Sequence, residues 1–215
     1  MQFSALRAAG PLPGEMMPWN FGGRSRATRY SLVADEATVV LRADADASAS
    51  GIVREIRVDP REYPVLAWRW KVMNLLERAD IRTKAGDDFP ARVYVTFAVD
   101  PAALPPAERA KLSFARLVYG DKVPAAALCY VWDAKAPRDT LVPNAYTERV
   151  RMIVAESGAA RLGTWVRVQR NIREDYKRAF GAEPEAVTSV IVSTDTDNTG
   201  ETAVAFYGDI SFGPS

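Results

Sequence analysis

Three groups of residues in this 215-residue chain carry side chains and spacings suited to chemistry. The first is the loop TDTDNTGE (194–201), where Asp195 and Asp197 alternate ahead of Thr199 and Gly200. Alternating oxygen ligands before a glycine that permits a sharp bend make up the first half of a calcium loop. The bidentate Glu of an EF-hand is absent, because its position is Phe206, so Asp209 or Glu201 would have to complete the cage. The expected set is Asp195, Asp197 and Asp209 around a structural Ca²⁺. The competing reading is a tight turn between strands, for which Asp, Asn, Thr and Gly are the ordinary residues. From residue 181 onward there are six acidic residues and no Lys or Arg, whereas 147–178 hold eight basic and four acidic ones. A basic residue from that stretch, Arg170 first, could therefore take the carboxylates in place of a metal.

The second group is GDDFPARVYV, with Asp87 and Asp88 just before a strand carrying Arg92 and Tyr94. Arg92 and Tyr94 stand two apart and share a strand face. An Arg that neutralises a uronate beside a Tyr that moves a proton is the equipment of a polysaccharide lyase, and Tyr94, Arg92 and Asp88 are the catalytic residues if the chain is an enzyme. A glycoside hydrolase would need two carboxyls about 5–5.5 or about 6.5–9.5 Å apart. The third group is Arg69 and Lys71, which share the polar face of VLAWRWKV. Together with Arg92, Tyr94, Trp165 and Tyr207 they form the expected ligand surface, in which rings stack on sugars and cations bind hydroxyls or carboxylates. The plain alternative is a solvated sheet face with cross-strand charge pairs.

Composition excludes several other classes. With no histidine, Ser-His-Asp and Cys-His catalysis and His-ligated zinc are out. Cys129 is the one cysteine, so no internal disulfide forms; it lies in an apolar strand and reads as an inert buried thiol. The 28 basic and 27 acidic residues nearly cancel, which gives little attraction for nucleic acid. No apolar run approaches the length that spans a bilayer, and MQFSALRAAG lacks the apolar stretch of an export signal. The chain is either cytoplasmic or has lost such a signal.

Ten segments alternate apolar and polar residues with the period of strands: 30–34, 37–43, 51–58, 65–72, 91–99, 126–133, 149–155, 164–171, 187–194 and 202–212. Helices are expected over 105–120 and over NIREDYKRAFG (171–181), the latter closed by Gly181. Neither helix recurs between strands as a βαβ unit requires. The expected fold is therefore all-β with minor helices: one antiparallel β-sandwich or jelly-roll domain over 1–215. Its core should hold Trp68, Trp70, Val93, Val95, Phe97, Phe206 and Phe212, with Tyr207 on the polar face.

The strings WRWKV (68–72), GDDFPARVYVTF (86–97), CYVW (129–132), RNIREDYKRAFG (170–181), TDTDNTG (194–200) and YGDISF (207–212) together resemble the bacterial domain of unknown function 3047. They are spread over nearly the whole chain. The resemblance supplies no activity; it implies a bacterial, periplasmic or secreted protein, because members commonly start with an export signal. YGDISF also looks like the closing strand of jelly-roll carbohydrate-binding modules, where the Asp helps hold calcium. The leading expectation is an envelope protein that binds a poly- or oligosaccharide, with no nucleic-acid partner and no membrane insertion. The alternatives are a polysaccharide-degrading enzyme on the same scaffold, by Tyr/Arg lyase or carboxylate-pair chemistry, and a structural envelope protein.

Overall fold

The computed structural model describes residues 1–20, 25–100, 102, 106, 107, 109, 110 and 125–215. All ten alternating segments are strands. Two short ones that the pattern does not single out bring the described total to twelve: β1 (Met16–Trp19), β2 (Arg29–Asp35), β3 (Thr38–Asp46), β4 (Ala49–Val58), β5 (Val65–Val72), β6 (Phe89–Phe97), β7 (Ala126–Asp133), β8 (Leu141–Pro143), β9 (Val150–Ser157), β10 (Val166–Asn171), β11 (Val187–Asp195) and β12 (Thr202–Gly213). The added pair, β1 and β8, form the two edges of the larger sheet, and each contains a proline. The helix expected over 105–120 lies largely outside the described residues.

The strands make a seven-stranded sheet, β1-β4-β11-β6-β7-β9-β8, and a five-stranded sheet, β10-β5-β12-β3-β2. Among the described strands only β7 and β9 pair in parallel. That exception follows from β8, which occupies the outer edge antiparallel to β9, so the returning β9 runs alongside β7 in the same direction.

Alternation builds the core as expected. Val93, Val95, Tyr130, Trp132 and Val192 of the larger sheet face Leu66, Trp68, Trp70 and Val72 of the smaller one. Trp68 and Trp70 meet edge to face with centroids 5.4 Å apart, and Trp68 lies 5.2 Å from Tyr130. Trp70 reaches Trp132 at 6.0 Å. Rings of this size each remove roughly 150–250 Å² from water, and the offset and edge contacts add to that.

β12 departs from simple alternation. Tyr207 pairs with Trp70 but Ile210 pairs with Trp68, so β12 holds one residue more than β5 between these points. This bulge switches the phase of the strand. Before it, Ala203, Ala205 and Tyr207 point inward; after it, Ile210 does. Phe206, expected in the core, instead faces outward opposite Lys71 and is half-buried, as is Phe212. Tyr207, expected on the polar face, is buried and donates its hydroxyl proton to the Ser193 carbonyl at 2.5 Å. Gly208 in the bulge is covered by Arg69: a Cβ there would lie 2.5 Å from Arg69 Cγ.

The helix α1 (Ile172–Phe180) forms where expected. Asn171 caps it by accepting from the Arg173 and Glu174 amides, and Gly181 ends it with φ at 70°. Tyr176 of α1 packs its ring on Phe97, with centroids 4.7 Å apart.

Candidate functional site

The expected ligand surface divides in two. Arg69 and Lys71 lie on β5 in the five-stranded sheet, whereas Arg92 and Tyr94 lie on β6 in the seven-stranded sheet. Both pairs face away from the core, so they stand on opposite outer faces of the sandwich. A shared groove is thereby excluded, and Tyr207 belongs to neither face because the β12 bulge turns it inward. Strand alternation assigns a face within each sheet but leaves open which strands share a sheet.

Around Arg92 the structure gathers the acidic loops. Arg92 is 2% exposed. Its Nε donates to Asp195 Oδ1 at 2.7 Å, and its Nη2 donates to Asp195 Oδ2 and, at 2.6 Å, to the Asp87 carbonyl. Nη1 donates to Asp87 Oδ1 at 3.2 Å, and Asn144 Nδ2 donates to Asp87 Oδ2 at 2.8 Å. Asp88 accepts from the Asn198 amide at 3.3 Å and from the Thr199 amide at 2.6 Å, so it anchors the 196–200 turn from below. Tyr146, exposed at the rim, donates to Asn198 Oδ1 at 2.9 Å.

Carboxylate oxygens of Asp88, Asp195 and Asp197 lie within 4.8 Å of one another, and these are the residues able to offer oxygens to a hard cation. The expected third ligand does not join them. Asp209 instead accepts from the Ser4 amide at 2.8 Å and from the Ser4 hydroxyl. Glu201 is engaged by the Glu77 and Arg78 amides at 2.9 and 3.2 Å. The basic partner of Asp195 is Arg92, not Arg170, which binds Asp175 and Asp139. Asp88 enters the cluster from more than a hundred residues away in sequence, a convergence that no local spacing announces.

Burial pushes the Asp195 carboxyl up to about 7; Arg92 opposes the rise, and the Asp88 and Asp87 carboxylates add to it. The pH consequence has a definite sign. An Asp titrates near 3.9 when unfolded, so between about 4 and about 7 the folded chain holds the extra proton. Its stabilising contribution is complete below that window and is lost as pH rises through about 7. Urea unfolding across pH 4–8 should show this decline in the native chain and a flatter profile in Asp195→Asn.

Burial also raises the Tyr94 phenol well above its ordinary value, with Arg92 opposing, so Tyr94 stays protonated at neutral pH. Cys129 is pushed up to about 12 by burial and is an inert thiol, as expected. Of the residues named for a lyase, Asp88 and Arg92 are buried, and all three guanidinium nitrogens of Arg92 already donate to Asp87 and Asp195.

The outer face of the five-stranded sheet is organised differently. Trp165, just ahead of β10, is half-buried, and the Arg69 guanidinium lies 4.4 Å from its ring centroid. Lys71 Nζ lies 5.2 Å from the same ring and 4.7 Å from Phe206. Arg42 continues the series, 5.6 Å from the Phe206 centroid. Rings and cations thus alternate from the β10 edge across β5 and β12 to β3. Three of the expected ligand residues, Arg69, Lys71 and Trp165, are together here. Phe206 and Arg42 were missed; a glycine inside a strand pattern, Gly208, was the available sign that the phase of β12 would change.

No curated protein matches the chain. Among solved structures it is similar to the Trichoderma harzianum endoglucanase 3 of family GH12, at 8% identity and a TM-score of 0.43, covering 95% of this chain and 100% of that one. It is similar to the xyloglucanase domain of NopAA from Sinorhizobium fredii, at 7% identity and a TM-score of 0.48, over 92% and 91% of the two chains. It is also similar to a family 30 carbohydrate-binding module of Clostridium thermocellum, at 15% identity and a TM-score of 0.39, over 94% and 88%. A family model described as a protein of unknown function, DUF3047, matches residues 15–211, and the chain belongs to that family.

Proposed function

We propose that this protein binds saccharide across the outer face of its five-stranded sheet. The observation that carries the reading is the line of half-buried rings and cations running from Trp165 through Arg69, Lys71 and Phe206 to Arg42. Flat apolar rings suit the C–H faces of a sugar, and the guanidinium and ammonium groups between them donate to hydroxyl oxygens. The cations pack on the rings, so both kinds of contact are set in place before a ligand arrives, which reduces the ordering cost of binding.

The test is a glycan array probed with the native chain and with a Trp165→Ala, Phe206→Ala double variant. Binding by the native chain should fall about tenfold or more in the variant, in line with the loss of two anchoring rings. An array without a bound glycan, or equal binding by the two proteins, overturns the proposal.

A second reading, hydrolysis, is favoured by one observation on the other sheet: the carboxylates of Asp88, Asp195 and Asp197 converge, with oxygens within 4.8 Å of one another. Neighbouring carboxyls are the groups that glycoside hydrolysis uses. Product analysis on any bound glycan decides it, since new reducing ends that disappear in Asp197→Asn would place catalysis at that cluster.

A further inference from the structure

We infer that the saccharide is anionic, carrying carboxylate or sulfate groups that are taken between Arg69 and Arg167; this rests on the proposed saccharide-binding face. In the β10–β5 ladder Arg167 pairs directly with Arg69. The two residues occupy the same outer face, one on each strand. Like charges directly opposite each other destabilise a sheet.

Elsewhere on this face the arginines have carboxylate partners. Arg42 binds Asp44 at 2.7 Å, Arg29 reaches the same carboxylate at 3.4 Å, and Arg26 at the margin reaches Asp46 at 3.3 Å. Lys71 pairs with Asp35. Among the described residues neither Arg69 nor Arg167 forms a salt bridge. The uncompensated charge is therefore local: two arginines side by side, with Trp165 on the same face two residues before Arg167.

The packing preserves that arrangement. The Trp165 ring holds the Arg69 guanidinium at 4.4 Å, and Gly208 leaves room for the Arg69 stem where a Cβ would collide with it. A guanidinium held over an aromatic ring is fixed in place while its planar set of N–H donors stays available to a ligand. The Arg69 fork, with Arg167 directly opposite on the adjacent strand, suits a carboxylate or sulfate oxygen pair, and the ligand anion replaces the repulsion of the two arginines with charge-assisted hydrogen bonds.

Binding should be measured by isothermal titration to polygalacturonate, sulfated dextran, neutral dextran and polyglutamate, with the native chain, Arg167→Gln and Arg167→Lys. The expected result is binding to at least one acidic polymer in preference to dextran and polyglutamate, weakening as salt rises. Arg167→Gln should lose about tenfold, the effect of one charge-assisted bond. Arg167→Lys, which keeps charge but loses the fork, should fall between. The Arg167→Gln melting temperature should be unchanged or higher, because the substitution removes a repulsion, so the binding loss cannot be unfolding. Polygalacturonate against sulfated dextran distinguishes carboxylate from sulfate. Dextran bound as tightly as the acidic polymers, polyglutamate bound equally, or an unaffected Arg167→Gln overturns the inference and leaves the saccharide-binding face standing. Failure to bind any saccharide, here and on the array, overturns both.

Discussion

Arg92→Gln should destabilise the fold by about 3–5 kcal/mol, the usual loss when one partner of a buried ion pair is removed. The guanidinium is 2% exposed and contacts both Asp87 and Asp195, with Asp88 and Asp197 nearby. Without it the buried carboxylates of Asp87, Asp88 and Asp195 face one another with no counter-charge among them. A domain has only about 5–15 kcal/mol in total, so the variant would stand near the limit of folding. Denaturant midpoints for the two proteins should differ most at pH 8 and converge toward pH 5, because Asp195 then holds a proton and demands less of its partner. Arg92→Lys should recover little, since one ammonium cannot reproduce the Nε–Nη2 fork on Asp195. A loss below about 1 kcal/mol at pH 8 would show that Arg92 does not offset the acidic cluster.

Trp70→Ala should be equally damaging for a different reason. Trp70 is wholly buried and touches Trp68 and Trp132, the three rings bridging the two sheets. Deleting it leaves a cavity that neighbouring strands cannot collapse into, at a loss of about 3–5 kcal/mol by chemical denaturation. Trp165→Ala is the matched control. Its ring lies half-buried on the outer face, where the contacts with Arg69 and Lys71 are worth about 0.5–2 kcal/mol. A Trp165→Ala loss as large as that of Trp70→Ala would mean that the ring is structural, removing it as a clean probe of ligand binding.

The sequence makes the strands legible because alternation is a local property. Trp68 and Trp70 in phase with Leu66 and Val72 identify an inward face without any knowledge of neighbours. Asn171 and Gly181 mark α1 for the same reason, each acting within a few residues of itself. What escaped is non-local. Arg69 and Arg92 read as one surface until strand order assigns β5 and β6 to different sheets. Asp88 joins Asp195 and Asp197 only because the turn before β6 and the turn after β11 lie at the same end of adjacent strands. Phe206 and Tyr207 exchanged roles through one inserted residue, and its effect on every side chain N-terminal to it in β12 is the general sensitivity of strands to register.

The two prolines at the edges of the larger sheet bear on how this chain behaves at high concentration. Successive residues of an antiparallel strand direct their N–H groups alternately toward and away from the neighbour. In β8 the carbonyl of Thr140 and the amide of Asn144 bond to β9, so Leu141 and Pro143 present the outward edge, and only Leu141 has a proton to offer. In β1 the Met16 amide already donates to the Pro13 carbonyl, and Pro18, two residues on and on the same side, has none. A second copy laid along β1 would find no free donor, and one laid along β8 would find one. Strand-by-strand templating needs a repeating ladder, and neither β1 nor β8 offers one, which guards these two edge strands against cross-β growth.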